Sequence, residues 1–170
     1  MTELEAIRTF FRFNSRVRQN YLDTILKLPS DERLKDRGAS FPSLQEVFCH
    51  VLDGIRWWVE YVPQDRAADA NQLPARELSP EQLRAETEKA DRMALDYVTH
   101  LTEADMTKDM VCHFPGDDGP QEARFPIKDV LWHLVEEELQ HRGELNALLW
   151  QIDVEPPIAK VEDWNASKEK

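Results

Sequence analysis

The stretch that decides the fold is residues 127–150, which read IKDVLWHLVEEELQHRGELNALLW. It follows Pro126 and begins a proline-free window that continues to residue 155. Apolar residues recur in it with the spacing of one helix face, at Ile127, Leu131, Leu134, Leu145 and Leu148. Two glutamates and a histidine interrupt the apolar stripe between Leu134 and Leu145. The stretch therefore predicts a long helix whose buried face carries ionisable groups, which is costly unless those groups are paired.

The ten prolines of the 170-residue chain divide the rest of the sequence in the same way. Proline inside a helix costs about 3 kcal/mol, so long proline-free windows are where helices are expected. There are four such windows: 1–28, 43–62, 81–114 and 127–155. Ser43 followed by Glu46, and Ser79 followed by Pro80, are helix start signals. Four amphipathic helices of this length pack most simply as an antiparallel four-helix bundle, so the predicted fold class is all-α.

A short hairpin or loop is expected between the third and fourth helices. Residues 110–114 and 123–125 are the flanking segments, and the intervening 115–120 read PGDDGP, a turn-forming sequence. The predicted organisation is one bundle domain over residues 1–150, followed by a polar C-terminal tail over 151–170. One domain suits a chain of this length.

Charge narrows the classes of partner. The chain has 33 acidic and 21 basic residues, a net charge of −12, and such a charge repels phosphate backbones and anionic lipid headgroups. No nucleic acid or membrane partner is therefore expected, and small molecules or other proteins are the better candidates. The acidic N-terminal residues and the lack of a long apolar run favour a cytoplasmic protein.

The ionisable residues that interrupt the apolar stripe of the last predicted helix suggest a metal site. At about 100° and 1.5 Å per residue, Glu137 and His141 lie roughly 40° and 6 Å apart on one face, so both can reach one ion. Glu138 borders the same stripe, and the choice between the two glutamates stays open. A further ligand must come from another helix. His50 is the histidine that lies within another predicted helix, and Gly54, one turn later, leaves room beside it.

Each of these residues also has an ordinary structural interpretation. His50 can pack against Trp57 or Trp58 at a helix interface. The acidic run before His141 can form a buried ion-pair network with Arg142 or with an arginine of another helix. Asn14, which faces inward on the first helix, can hydrogen-bond a neighbouring helix.

Two segments resemble motifs of the DinB/YfiT-like metalloenzymes. Residues 133–145, HLVEEELQHRGEL, are similar to the last-helix motif, in which a ligand, three residues and His-Arg-Gly recur. Residues 41–51, FPSLQEVFCHV, resemble the motif that ends in the first metal histidine. Asn14, which follows an aromatic residue, also matches the family pattern. The resemblance covers most of residues 5–150 and implies a DinB-like four-helix bundle.

The resemblance further implies one divalent metal ion, most often nickel or zinc, held by His50, Glu137 and His141. Many members have histidine where this chain has Glu137. Two neutral imidazoles and one carboxylate would leave a dipositive ion with a net charge of about +1, which suits binding of a deprotonated thiol or water.

Characterised relatives use low-molecular-weight thiols as cosubstrates, so the resemblance implies a thiol S-transferase or isomerase that acts on a small electrophile. Glu138 is then expected to orient a ligand or act as a base, Arg142 to hold an acidic substrate or thiol carboxylate, and Asn14 to contact the cofactor. The alternatives are a hydrolase that uses metal-bound water and a non-catalytic metal-binding module of a stress response. The resemblance to this family and the exposed aromatic residues favour a homodimer.

Overall fold

The computed structural model describes residues 1–116 and 119–168, and its architecture is an all-α bundle. Four long helices account for most of it, with two short ones between and after them. Their bounds are α1 Glu3–Leu26, α2 Ser30–Arg33, α3 Leu44–Arg56, α4 Pro80–His100, α5 Ile127–Trp150 and α6 Val161–Ala166. The predicted all-α class and the positions of the four main helices are confirmed.

The long helices begin where side chains cap their first turns. The Ser43 hydroxyl accepts a hydrogen bond from the Glu46 backbone N–H at 3.3 Å, and the Ser79 hydroxyl accepts one from the Gln82 N–H. Thr2 does the same at the start of α1. These bonds satisfy backbone donors that lack a partner within the helix.

The second proline-free window is not one uniform α-helix. After Arg56, the chain widens into a π-turn over Trp57–Tyr61 and then tightens into a 3₁₀ turn over Val62–Gln64. The Val62 N–H donates to the Trp57 carbonyl, five residues earlier. The helical segment therefore changes its pitch at Trp57, Trp58 and Tyr61.

A two-stranded antiparallel hairpin connects α4 to α5, which confirms the predicted hairpin. It consists of β1 Asp109–Gly116 and β2 Gly119–Pro126, and Cys112 pairs with Ala123. Residues 117–118, which fall within the predicted turn, lie outside the described residues. The inner face of the hairpin packs against the 3₁₀ turn that follows α3 and against the start of α5.

The hydrophobic core lies between α1, α3, α4 and α5. Its largest fully buried side chains are Phe48, Ile7, Leu22, Ile25, Leu44, Leu52, Leu83, Leu131 and Leu149. None of the helices in the described ranges is both long enough and apolar enough to cross a bilayer.

The segment after residue 150 contains α6, which packs on α1. The Trp164 ring lies 4.7 Å from Phe10 and 5.6 Å from Phe13, measured between ring centroids. The Arg12 guanidinium donates to the Ser167 carbonyl at 2.7 Å. Aromatic packing and this hydrogen bond attach the C-terminal segment to the bundle, and residues 169–170 lie outside the described part of the chain.

Candidate metal centre

Three side chains from two helices meet between α3 and α5. His50 comes from α3, and Glu137 and His141 come from successive turns of α5. The Nε2 atoms of His50 and His141 lie 3.5 and 3.4 Å from the same carboxylate atom, Oε2 of Glu137. The His141 side chain is 4% exposed, whereas those of His50 and Glu137 are 30% and 31% exposed. The group is therefore anchored in the bundle on one side and accessible on the other.

A carboxylate holds the far side of the His141 ring. Nδ1–H of His141 donates to Glu144 Oε2 at 3.0 Å. Glu144 also accepts two bonds from Ser40, one from its backbone N–H and one from its hydroxyl, each at 2.6 Å. Partial burial opposes the charged form, but the hydrogen bonds from Ser40 and His141 outweigh it and lower the pKa of Glu144. The bond to Glu144 keeps the proton on Nδ1 and leaves the lone pair of Nε2, on the side of Glu137, available to bind a metal ion.

An aromatic residue fixes the other histidine. The Phe41 ring stacks on His50 with a centroid distance of 4.1 Å and an interplanar angle of 24°, and it meets His141 edge-on at 6.0 Å. Burial lowers the pKa of His50, and the neighbouring His141 acts in the same direction, while Glu137 opposes them. His50 is therefore held as a neutral imidazole, which is the form that binds metal ions.

These residues fit a divalent metal ion. Donors within 4.8 Å of one another are supplied by His50, Glu137 and His141. Ligands that bond a tetrahedral zinc ion at 2.0–2.2 Å are about 3.4 Å apart, close to the two separations measured here. Two imidazoles and one carboxylate are a donor set of open, catalytic zinc sites. The carboxylate behind His141 is the kind of partner that orients a metal-binding histidine.

Two cavities border His50. The larger, about 490 Å³, is called here the aromatic cavity; its walls include His50, Gly54, Trp57, Trp58 and Glu137. A methyl group built on Gly54 would meet no atom within 4 Å, so this glycine leaves open space beside the histidine, as its sequence position suggested. The smaller cavity, about 290 Å³, lies on the Phe41 side of His50.

The other three predicted site residues lie in the buried polar interior of the bundle. Glu138 accepts two bonds from the Arg18 guanidinium, at 3.2 Å from Nε and 2.6 Å from Nη2. Arg18 also contacts Asp91 of α4. Arg142 donates from Nη2 to Asn14 Oδ1 at 2.9 Å. Glu138, Arg142 and Asn14 thus have partners on neighbouring helices, and the structure does not bring them together with His50, Glu137 and His141.

Sequence reasoning missed Glu144, Ser40 and Phe41 as parts of this site. A signal for Glu144 was present, since it follows His141 by three residues and so lies on the same helix face. Ser40 lies in the connector between α2 and α3, where no periodicity indicates which side chain turns inward.

The fold and this cluster together define a helical-bundle protein with a candidate metal centre between its second and fourth long helices. The family model described as "DinB family" matches residues 1–169, and the chain belongs to the DinB family. This family is typically metal-binding, in agreement with the grouped His and Glu donors. No protein with a curated description matches the chain.

Proposed function

We propose that this chain is a metal-dependent enzyme that activates a low-molecular-weight thiol and transfers it to, or uses it to isomerise, a small electrophile. The ion, nickel or zinc, would be held by His50, Glu137 and His141. The observation that carries the proposal is the meeting of two imidazole Nε2 atoms from different helices at one carboxylate oxygen. The choice of thiol chemistry comes from the family resemblance.

When bound there, a divalent ion would lower the pKa of a thiol or water ligand toward neutrality. Glu137 supplies one negative charge beside two neutral imidazoles, so the centre would keep a net positive charge that favours an anionic sulfur. Glu144 holds the proton on His141 Nδ1 and thereby keeps the ring in one tautomer and orientation.

An open site supports catalysis over a purely structural role for the metal. Structural zinc sites have four protein ligands, whereas the group of His50, Glu137 and His141 supplies three. The aromatic cavity borders both His50 and Glu137 and is large enough for a small-molecule substrate. A substrate lying there would be next to the proposed ligands.

We propose that Glu138, Arg142 and Asn14 act as positioning residues. Glu138 is next to Glu137, and Arg142 is next to His141, so their contacts to Arg18 and Asn14 define how α5 is rotated against α1. That rotation determines which α5 side chains face the aromatic cavity.

The proposal also includes a location and an assembly state. A low-molecular-weight thiol is kept reduced in the cytoplasm, so we place the protein there. The exposed side chains of Leu139 and Trp150 on α5, 49% and 52% exposed, favour a homodimer. Light scattering coupled to size-exclusion chromatography tests it, and a mass near 19.9 kDa would contradict it.

The activity test measures thiol consumption with a panel of electrophiles, using protein loaded with nickel or zinc and protein treated with a chelator. We expect turnover that requires both metal and thiol and that is lost in His50→Ala, with His100→Ala as the matched histidine control. Turnover of esters or amides without thiol would instead support the hydrolase. Metal binding without any turnover would support the non-catalytic module and contradict an enzyme.

A further inference from the structure

We infer that the aromatic cavity is a subsite for the uncharged aromatic part of the substrate. The inference rests on the proposed function, because it takes the space beside His50 and Glu137 as the place where substrate binds. Three features carry it: the wall formed by the π-turn, the distribution of charge, and the open space at Gly54.

The π-turn brings three aromatic side chains to one cavity. Trp57, Trp58 and Tyr61 all lie within this five-residue turn, and all three line the aromatic cavity. Trp58 is held edge-on between Phe125 of the hairpin and His133 of α5, with centroid distances of 5.8 and 6.1 Å. π-turns are rare and are often found at functional sites. The two tryptophans are the residues best suited to stack on a flat ring.

The cavity offers no available cation away from the metal ligands. Among the described residues that line it, the only arginine or lysine is Arg56. Its Nη1 donates to Asp53 at 2.9 Å and its Nη2 to the Tyr61 hydroxyl at 3.0 Å, so the guanidinium is already neutralised. Asp53 in turn accepts from the Leu73 backbone N–H at 3.0 Å.

The remaining basic group at the cavity wall is also close to acids. A ring nitrogen of His133 lies within 4.8 Å of carboxylate oxygens of Glu136 and Glu137. A carboxylate placed against the tryptophans would therefore lose its hydration without gaining a counter-charge, in a chain whose net charge is −12. An uncharged ring would suffer no such loss, and it would gain stacking contacts.

The first experiment compares two probes that differ in charge. Isothermal titration calorimetry with 2-naphthalenemethanol and 2-naphthoate is performed on the protein as purified and again after chelator treatment, which removes any coordination of the carboxylate. In the chelator-treated protein we expect the alcohol to bind at least tenfold more tightly than the acid. Equal or tighter binding of naphthoate there would overturn the inference.

The second experiment fills the cavity. Gly54→Leu projects a side chain into the open space, and Gly143→Leu makes the same change on an exposed face of α5, where a Cβ also meets no atom within 4 Å. We expect Gly54→Leu to weaken binding of 2-naphthalenemethanol at least tenfold and Gly143→Leu to leave it unchanged. Equal binding to Gly54→Leu and to the wild type would overturn the inference.

A second pair of variants covers a failure of Gly54→Leu to fold. Trp58→Ala should lose at least tenfold in affinity for the alcohol, while Trp150→Ala, at an exposed tryptophan of α5, should not. Equal losses in both would overturn the subsite.

Metal content measured on the same samples separates the two proposals. Binding of 2-naphthalenemethanol to a protein that takes up no metal supports the subsite and contradicts the proposed function. Metal uptake without such binding contradicts the subsite alone.

Discussion

The two ring nitrogens of His141 have different partners, and this difference defines what the residue can do. Nδ1 donates to Glu144, and Nε2 faces the carboxylate of Glu137. Ser40 holds Glu144 from the connector before α3, so a residue distant in sequence helps set the tautomer of a proposed ligand.

Replacing Glu144 by glutamine should weaken metal binding about 10- to 100-fold, the usual effect of losing a carboxylate behind a metal-binding histidine. The amide keeps the shape of the side chain but cannot stabilise the Nδ1–H as a charged acceptor does. Competition against a chelator with a metal-sensitive absorbance measures the affinity. Glu88→Gln, at an exposed position of α4, is the matched control, and equal affinities in both variants would contradict the role given to Glu144.

The pair Glu137 and Glu138 shows how much of the candidate site the sequence predicts at the scale of single residues. Helical spacing places either glutamate near His141. Consecutive residues differ by about 100° around a helix, yet Glu137 and Glu138 both border the apolar stripe, so the spacing does not choose between them. The structure turns Glu137 toward His50 and Glu138 toward Arg18. That choice depends on how α5 is rotated against α1, which residues far apart in sequence determine.

Among the helices, α1 is joined to α4 and α5 through one buried arginine. Arg18 contacts Asp91 and Glu138, and the side chains of all three residues are less than a tenth exposed. The guanidinium forms an ion pair with each of these two buried carboxylates, so its single positive charge is shared between them.

Arg18→Met should therefore destabilise the protein by about 3–5 kcal/mol, because it leaves both carboxylates without their cation. Urea denaturation followed by circular dichroism measures the loss. Arg84→Met is the control: Arg84 pairs with Asp23 on the surface, where the side chains are 42% and 53% exposed, and its removal should cost less than about 1 kcal/mol. Similar losses in the two variants would contradict this assignment.

The hairpin is attached to the connector after α3 by a histidine. His113 Nδ1 lies 2.6 Å from Asp65 and its Nε2 lies 3.1 Å from Glu122, so both nitrogens donate when the ring is protonated. These hydrogen bonds raise the pKa of His113 above its ordinary value of 6.5. Since the folded state binds the proton more tightly, the stabilisation is complete below pH 6.5 and is lost as the pH rises through the higher folded-state value.

The melting temperature of His113→Gln should accordingly fall below that of the wild type at pH 5.5, and by less at pH 8.5. Thermal denaturation at the two pH values measures this difference. In a background that carries Asp65→Asn and Glu122→Gln, the same substitution should have no such pH dependence. A wild-type advantage that grows toward pH 8.5 would contradict the sign of the effect.

At the scale of elements, prolines and apolar spacing predicted the four long helices and the hairpin, because both signals are local. The π-turn at Trp57–Tyr61 was not predicted, since its hydrogen-bond pattern depends on packing against the hairpin and α5. The packing of α6 on α1 through Trp164 was also not predicted, because it joins residues about 150 positions apart.

For the whole molecule, the hydrophobic core and the candidate metal centre are formed by different residues. The core runs between all four long helices, whereas the proposed metal ligands come from α3 and α5 alone. Chelation should therefore remove only the stabilisation that metal binding adds. The melting temperature should fall, while the helical circular dichroism signal and a cooperative unfolding transition remain. Unfolding on chelation would contradict this and indicate a structural metal.

The most direct test is the metal content of untagged protein, measured by mass spectrometry after incubation with nickel and zinc. We predict about one ion per chain in the wild type and in His100→Ala, and its loss in both His50→Ala and Glu137→Ala, as expected for a site whose ligands come from two helices. A wild type that takes up no metal, or metal that remains bound in both ligand variants, would contradict the metal centre.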